Sequence, residues 1–172
     1  MVGRPVTLAV ALLALAASAP PAPVAGAATS PACRTADLGI HQLYFFGATG
    51  NVLHVFRVRN RSARTCHTFG FFGVQLIGRH GHRRHTRAQR VTHDFFGVQH
   101  KRRVTIKPGR AASFRITTMT GPGYHCVTAN RVALIAPDDT VATTVKAEFN
   151  ACQHGRVEVG PVQRGDGAKP QG

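Results

Sequence analysis

The sequence predicts an antiparallel β-sandwich of about seven to nine short strands. Apolar residues alternate with polar ones at period two in several stretches, and no stretch holds them at helical spacing for three turns. Turn signals recur between those stretches: GATGN, KPGR, GPG and APDD. Four cysteines sit in a chain that reads as exported, where an even count favours disulfides over metal thiolates. Sheets that are apolar on one side must bury those sides against each other, and the sandwich does so.

The chain opens MVGRPVTLAVALLALAASAPPAPVAGAATSPAC. In it Arg4 precedes an apolar run from Val6 to Ala19, a Pro/Ala segment and the triplet Ala25-Gly26-Ala27. This is the pattern of a secretory signal peptide over residues 1–27, with residues 28–32 as a short linker. Cleavage is placed after Ala27, because a cut after Ala19 would set Pro20 against the scissile bond. The apolar run is shorter than the ~20 residues of a membrane-spanning helix, and no later segment approaches that length, so no transmembrane segment is expected in the mature chain. Leu15-Ala16-Ala17-Ser18 would read as a bacterial lipoprotein site if Ser18 were cysteine. Without that thiol the product is expected to be released rather than lipid-anchored.

The whole chain has 22 Lys+Arg and 7 Asp+Glu, a formal charge of +15; loss of Arg4 with the signal peptide leaves 21 against 7, or +14. The ten histidines all survive cleavage and add charge in a mildly acidic surrounding. About 145 residues remain, enough for one domain with one core. Cys33, Cys66, Cys126 and Cys152 allow three pairings, and none has C-x-x-C spacing. Cys33 with Cys66 and Cys126 with Cys152 are favoured, each joining neighbours in the chain.

In NVLHVFRVRN, Val52, Phe56 and Val58 share a face with His54, and Arg57 and Arg59 face away. Such a histidine is more often a hydrogen-bonded core residue than a ligand. RAASFRITT places Ala112, Phe114 and Ile116 on one face and Ser113 and Arg115 on the other, which should be solvent. VKAEF sets Val145, Ala147 and Phe149 against Lys146 and Glu148; VEVGPV sets Val157 and Val159 around Glu158. Gly73 to Ile77, Val104 to Ile106 and Arg131 to Ile135 fit buried strands. The domain is bounded at 33–162, and the tail QRGDGAKPQG at 163–172 has nothing to bury and is expected to be disordered.

Several blocks resemble one family. They are Cys33 with Asp37-Leu38, VFRVRNRSARTC ending at Cys66, GFFGVQL, VTIKPGRAASFRI and the closing ACQHGRVEVGPV. In that order, with all four cysteines, they are similar to the bacterial domain of unknown function family 4232. The resemblance implies an exported immunoglobulin-like β-sandwich, in a family whose members are often lipoproteins or fused to membrane segments, and it implies no catalytic residues. Phe72 stands where the family usually has proline, and proline alone would fix φ there.

FFGVQ occurs at Phe71 to Gln75 and again at Phe95 to Gln99. The first copy falls on a family block leading into a core strand. The flanks of the second do not match, TFG against THD, so it reads as coincidence rather than as a duplicated unit. Phe95, Phe96 and Val98 should nonetheless pin their segment to the domain, since each side chain is worth roughly 1.5–3 kcal/mol when fully buried.

Between and after the copies lie RHGHRRHTRAQR and HKRR: from Arg79 to Arg103 there are eight Lys+Arg and five His against Asp94. One reading is a solvated basic loop that blunts a strand edge. Another is a polyanion site built on Arg79, Arg83, Arg84, Arg87, Arg90, Lys101, Arg102 and Arg103, whose donors match phosphate or carboxylate. A third is a metal site at His80, His82 and His85; on a strand the first two would share a face, but four arginines repel a divalent cation there. No cofactor is expected. No zinc-finger, helix-turn-helix or RNP pattern is present, which argues against dedicated nucleic-acid binding.

Ser30, Ser62 and Ser113 lie outside any G-x-S-x-G elbow, and Asp138-Asp139 follows Pro137 in an evident turn, so no nucleophile, base and orienter come together and no enzyme is expected. Asn60-Arg61-Ser62 matches a glycosylation pattern. The resulting expectation is a secreted, non-enzymatic envelope or extracellular interaction module. Its partner would be an anionic cell-wall polymer or lipid surface reached through the basic loop. The alternatives are a protein partner on a sheet face or edge, or a histidine-based metal carrier.

Overall fold

The computed structural model of the chain describes Gly3 and residues 30–170. The signal-peptide reading of residues 1–27 and the anchoring argument at Ser18 lie outside the described residues. The chain runs through Leu38–Ala48 (β1), Asn51–Asn60 (β2), Cys66–Phe69 (β3), Gly73–Ile77 (β4), Arg87–Arg90 (β5), His93–Asp94 (β6), Gly97–Val98 (β7), Arg103–Ile106 (β8), Ala111–Met119 (β9), Val127–Ile135 (β10), Ala142–Ala151 (β11), Arg156–Val159 (β12) and Gln163–Arg164 (β13). The fold is all-β, as predicted. Among the described residues its thirteen strands outnumber the expected seven to nine; three of them, β6, β7 and β13, are two-residue ladders.

The large sheet has the order β1-β2-β9-β12-β5, with β13 also paired to β9; the facing sheet has the order β11-β10-β4, and β3-β8 and β6-β7 form two further two-stranded sheets. Phe56, Phe114 and Ile116 of the first sheet and Leu76, Val132, Leu134 and Phe149 of the second belong to one buried cluster between them. Stacked rings run through it, Phe72 to Phe114 at 4.3 Å between centroids and Phe114 to Phe56 at 5.1 Å. Phe72 is therefore a core aromatic. Among the named strands every pairing is antiparallel except β12 with β5, which is parallel, and the isolated bridge of Ala32 to His67 is parallel too, a departure from the all-antiparallel expectation. The two favoured disulfides, Cys33–Cys66 and Cys126–Cys152, are both formed.

The strand expected to face solvent on one side is buried on both. Arg115, Ser113 and Thr117 of β9 are buried along with Ala112, Phe114 and Ile116. The reason lies in two segments laid over the outer face of the large sheet. The β6–β7 hairpin brings Asp94 onto Arg115, and the C-terminal segment brings Ala168 onto Leu53 and Val55. The expectation of a disordered tail is thus corrected for residues 163–170: Gln163 pairs with Ser113, the Ala168 amide donates to the Ser113 hydroxyl at 3.1 Å, and Arg57 bonds Asp166 at 3.0 Å.

Candidate functional site: the basic crossing

After β4 the chain leaves the small sheet and, at β5, joins the edge of the large one. The predicted basic residues sit on this crossing. It is fastened rather than loose. The Arg84 amide donates to the Leu76 carbonyl at 2.9 Å, the Leu76 amide to the Thr86 hydroxyl at 3.0 Å, and the Gln75 side-chain amide to the Arg84 carbonyl at 2.6 Å. Gly78 donates to the His82 carbonyl, and His85 Nδ1 donates to the His154 carbonyl at 2.7 Å. These bonds occupy edge groups of Leu76 and Gly78 at the end of β4 and hold the arginine backbone in place.

The eight candidate cations do not converge on one point. Arg79 and Arg84, with His82, line an open cavity of about 630 Å³ whose opposite wall is Thr128, Asn130 and Glu148. Arg83 points to a different groove, beside Val74, Ile77, Ala133 and Ile135. Arg87 and Arg90 lie on β5 at the sheet edge, which also fits the edge-blunting reading. Lys101 sits over the Phe69 ring at 4.7 Å, and Arg103 pairs with Phe69 across β3 and β8. All eight are exposed.

None of the eight is held in an ion pair among the described residues, although Glu148 stands on the wall of the Arg79/Arg84 cavity. The ion pairs among those residues are Arg57–Asp166, Arg115–Asp94, Arg156–Glu158 and Lys169–Asp166. The one acid of the segment, Asp94, is turned inward. It accepts from Arg115 Nε at 2.8 Å, from Nη2 at 2.6 Å and from the Thr117 hydroxyl at 2.9 Å. Sequence reasoning missed this pair. The signal was present: a lone acid in a basic run, and an arginine in the middle of an apolar strand.

The histidine triad does not form. His80 lies in a tight turn at Arg79–Gly81 with φ of 61°, so the strand geometry that would align it with His82 is absent, and His85 is committed to His154. Among the described residues no group of three or more His, Cys, Asp or Glu side chains is placed to hold a metal ion. His54 is buried, takes a bond at Nδ1 from the Gln42 amide at 3.1 Å and lies 4.2 Å from the Phe149 ring. Burial pushes its pKa down to about 4.

Other sequence candidates are structural too. Asp139 accepts from the Thr35 amide at 2.6 Å; that bond, above others, pulls its pKa down to about 2. Asn60 is fully buried, and its Nδ2 donates to the carbonyls of Arg64 and Ile106 at 2.7 and 2.9 Å, so the nitrogen a glycan would need is engaged inside the fold. Ser113 is buried beneath Ala168 rather than facing solvent.

Fold and site together define a disulfide-stapled β-sandwich domain with an ordered, unpaired basic surface. Residues 33–163 match the family described as Domain of unknown function (DUF4232), and the chain belongs to that family. No curated protein and no solved structure matches it. No helix among the described residues is long and apolar enough to cross a membrane.

Proposed function

We propose that the protein is an exported, non-catalytic binding domain that contacts an anionic polymer of the cell envelope through the Arg79 to Arg103 crossing, with Arg79 and Arg84 in the cleft at its centre. One observation carries the reading: eight exposed cations stand in no ion pair among the described residues, while the segment's only acid is buried on Arg115. Cations on an ordered backbone lose less freedom on meeting phosphates or carboxylates than cations on a free tail. The two disulfides fit an oxidising compartment.

The test is retention on intact envelopes washed with rising salt, and on immobilised polyphosphate. Arg79→Glu with Arg84→Glu should lower the eluting salt concentration well below that of Arg34→Glu with Arg110→Glu, which changes net charge equally on exposed residues elsewhere. Equal effects of the two pairs would reduce the site to bulk charge, and salt-insensitive retention would remove electrostatics from the account. A protein partner is the second reading, favoured by the mostly apolar groove of about 590 Å³ on the outer face of β4 and β10.

A further inference from the structure

The second FFGVQ copy has a feature the fold does not require. His93 pairs with Val98 and Asp94 with Gly97, which leaves Phe95 and Phe96 as the two connecting residues of the β6–β7 hairpin. Two-residue hairpin loops favour Asn-Gly, Asp-Gly or a leading Gly, so turn chemistry does not select two phenylalanines. Burial accounts for Phe96 only in part and not for its neighbours: Phe95 is 53% exposed and Val98 49%. Of the three side chains expected to pin the segment, Phe96 does so by packing against Leu53, Val55 and Ala168, alongside the Asp94–Arg115 pair, while Phe95 and Val98 do not. Phe96 is half-buried and meets Phe95 edge-on at 5.2 Å and Phe46 of β1 at 6.0 Å. Phe46 is itself 50% exposed. Rings from two distant parts of the chain thus form one exposed apolar cluster.

The cluster is held rigidly outward. Arg115 binds both Asp94 oxygens and, through Nη2, the Gly97 carbonyl at 2.7 Å, while the Phe96 amide donates to Asp94 Oδ1 at 2.9 Å. One buried arginine therefore grips both sides of the tip. Lys101, Arg102 and Arg103 lie within five residues of Val98 in the chain and are exposed, and the carboxylate of Asp94 is buried.

We propose that the Phe95–Phe96 tip, with Phe46, is a docking surface for an anionic lipid bilayer. The rings enter the boundary between headgroups and acyl chains, and the flanking cations meet the lipid phosphates. Exposed apolar rings on a basic segment are what an interfacial anchor combines, and neither part alone gives stable attachment. A second copy of the chain is a poor occupant, because it carries the same formal charge of +15. This goes beyond the polymer contact, which uses charge alone and is centred on Arg79 and Arg84.

The chain has no tryptophan, so Phe95→Trp makes the tip its own reporter. The vesicles are equimolar phosphatidylglycerol and phosphatidylcholine, with pure phosphatidylcholine for comparison. Trp at 95 should shift to the blue and be quenched by bromine-labelled acyl chains on the anionic vesicles only. Val141→Trp should do neither; Val141 is equally exposed but lies beside the Asp139 turn bonded to Thr35, at the other end of β1 from Phe46. Phe95→Ser, at an exposed position that folding does not depend on, should weaken sedimentation with anionic vesicles about tenfold. No quenching at 95, equal quenching at 95 and 141, or a blue shift that grows with protein concentration without vesicles would each overturn the proposal, the last by assigning the surface to a second copy. Loss of polyphosphate retention in the Arg79/Arg84 variant is a separate readout, so the two readings fail separately.

Discussion

His54 is the residue whose chemistry most exceeds its appearance in the sequence. Its Nε2 has no partner, its ring is packed on Phe149, and burial keeps it neutral with a pKa of about 4. The unfolded chain takes up this proton below pH ~6.5 and the folded chain only below about 4. The stability conferred by a neutral His54 is therefore fully present above pH ~6.5 and drains away as pH falls to about 4, by roughly 3 kcal/mol in total. Urea denaturation at pH 7 and pH 4.5 checks this: the native protein should lose most of that amount, and His54→Leu should lose far less. An equal fall in both proteins would place the acid sensitivity elsewhere. At lower pH Asp139 takes over. Its folded pKa of about 2 lies below the ordinary 3.8, so its bonds to Thr35 stabilise the fold above pH ~4 and weaken as pH drops toward 2.

Among elements, the β6–β7 hairpin depends on one ion pair. Arg115 and Asp94 are about 2% and 1% exposed, so removing either leaves a charge buried without its partner. Arg115→Met or Asp94→Leu alone should cost about 3–5 kcal/mol, and the double variant should recover a large part of that, because two apolar side chains bury no orphan charge. Thermal and urea unfolding of the three variants tests this; additive losses would show that the pair contributes packing rather than charge compensation. The C-terminal segment covers the same face. Ending the chain at Val162 should uncover Leu53 and Val55 and destabilise the fold by about 2–4 kcal/mol.

These two elements also mark where the sequence stopped being legible. β2, β4, β8, β9, β10, β11 and β12 follow from alternation or short apolar runs, because their inner faces meet one core. β1 is obscured by the bulge between Gln42 and Tyr44, which shifts the phase of alternation midway. The outer cover of the large sheet is illegible for a different reason. It rests on a polar pair and an alanine joined across 21 and more residues, and neither leaves a periodic trace. The basic run of the candidate site was plain to read. Its division into a cleft, a sheet edge and the flank of an aromatic tip was set by the crossing from one sheet to the other.

At the scale of the molecule, the two disulfides close different parts of the sandwich and differ in access. Cys33–Cys66 ties the entry of the domain to β3, and both of its cysteines are buried; Cys126–Cys152 joins the start of β10 to the end of β11, and Cys126 is exposed. Their sequence separations of 33 and 26 are close. By loop-closure entropy each should therefore stabilise the fold by a similar amount, about 3–4 kcal/mol. The thermodynamic effects are matched while the kinetic ones are not, since a reducing thiolate must reach a sulfur before it can exchange. Under native conditions a mild thiol reductant followed by alkylation should label Cys126 and Cys152 first and leave Cys33 and Cys66 protected until the sandwich opens. Mass spectrometry of the alkylated peptides reads the order directly. Simultaneous labelling of all four would mean that the buried bridge opens through unfolding as fast as the exposed one is attacked, and that the core between the sheets contributes less kinetic protection than its burial implies.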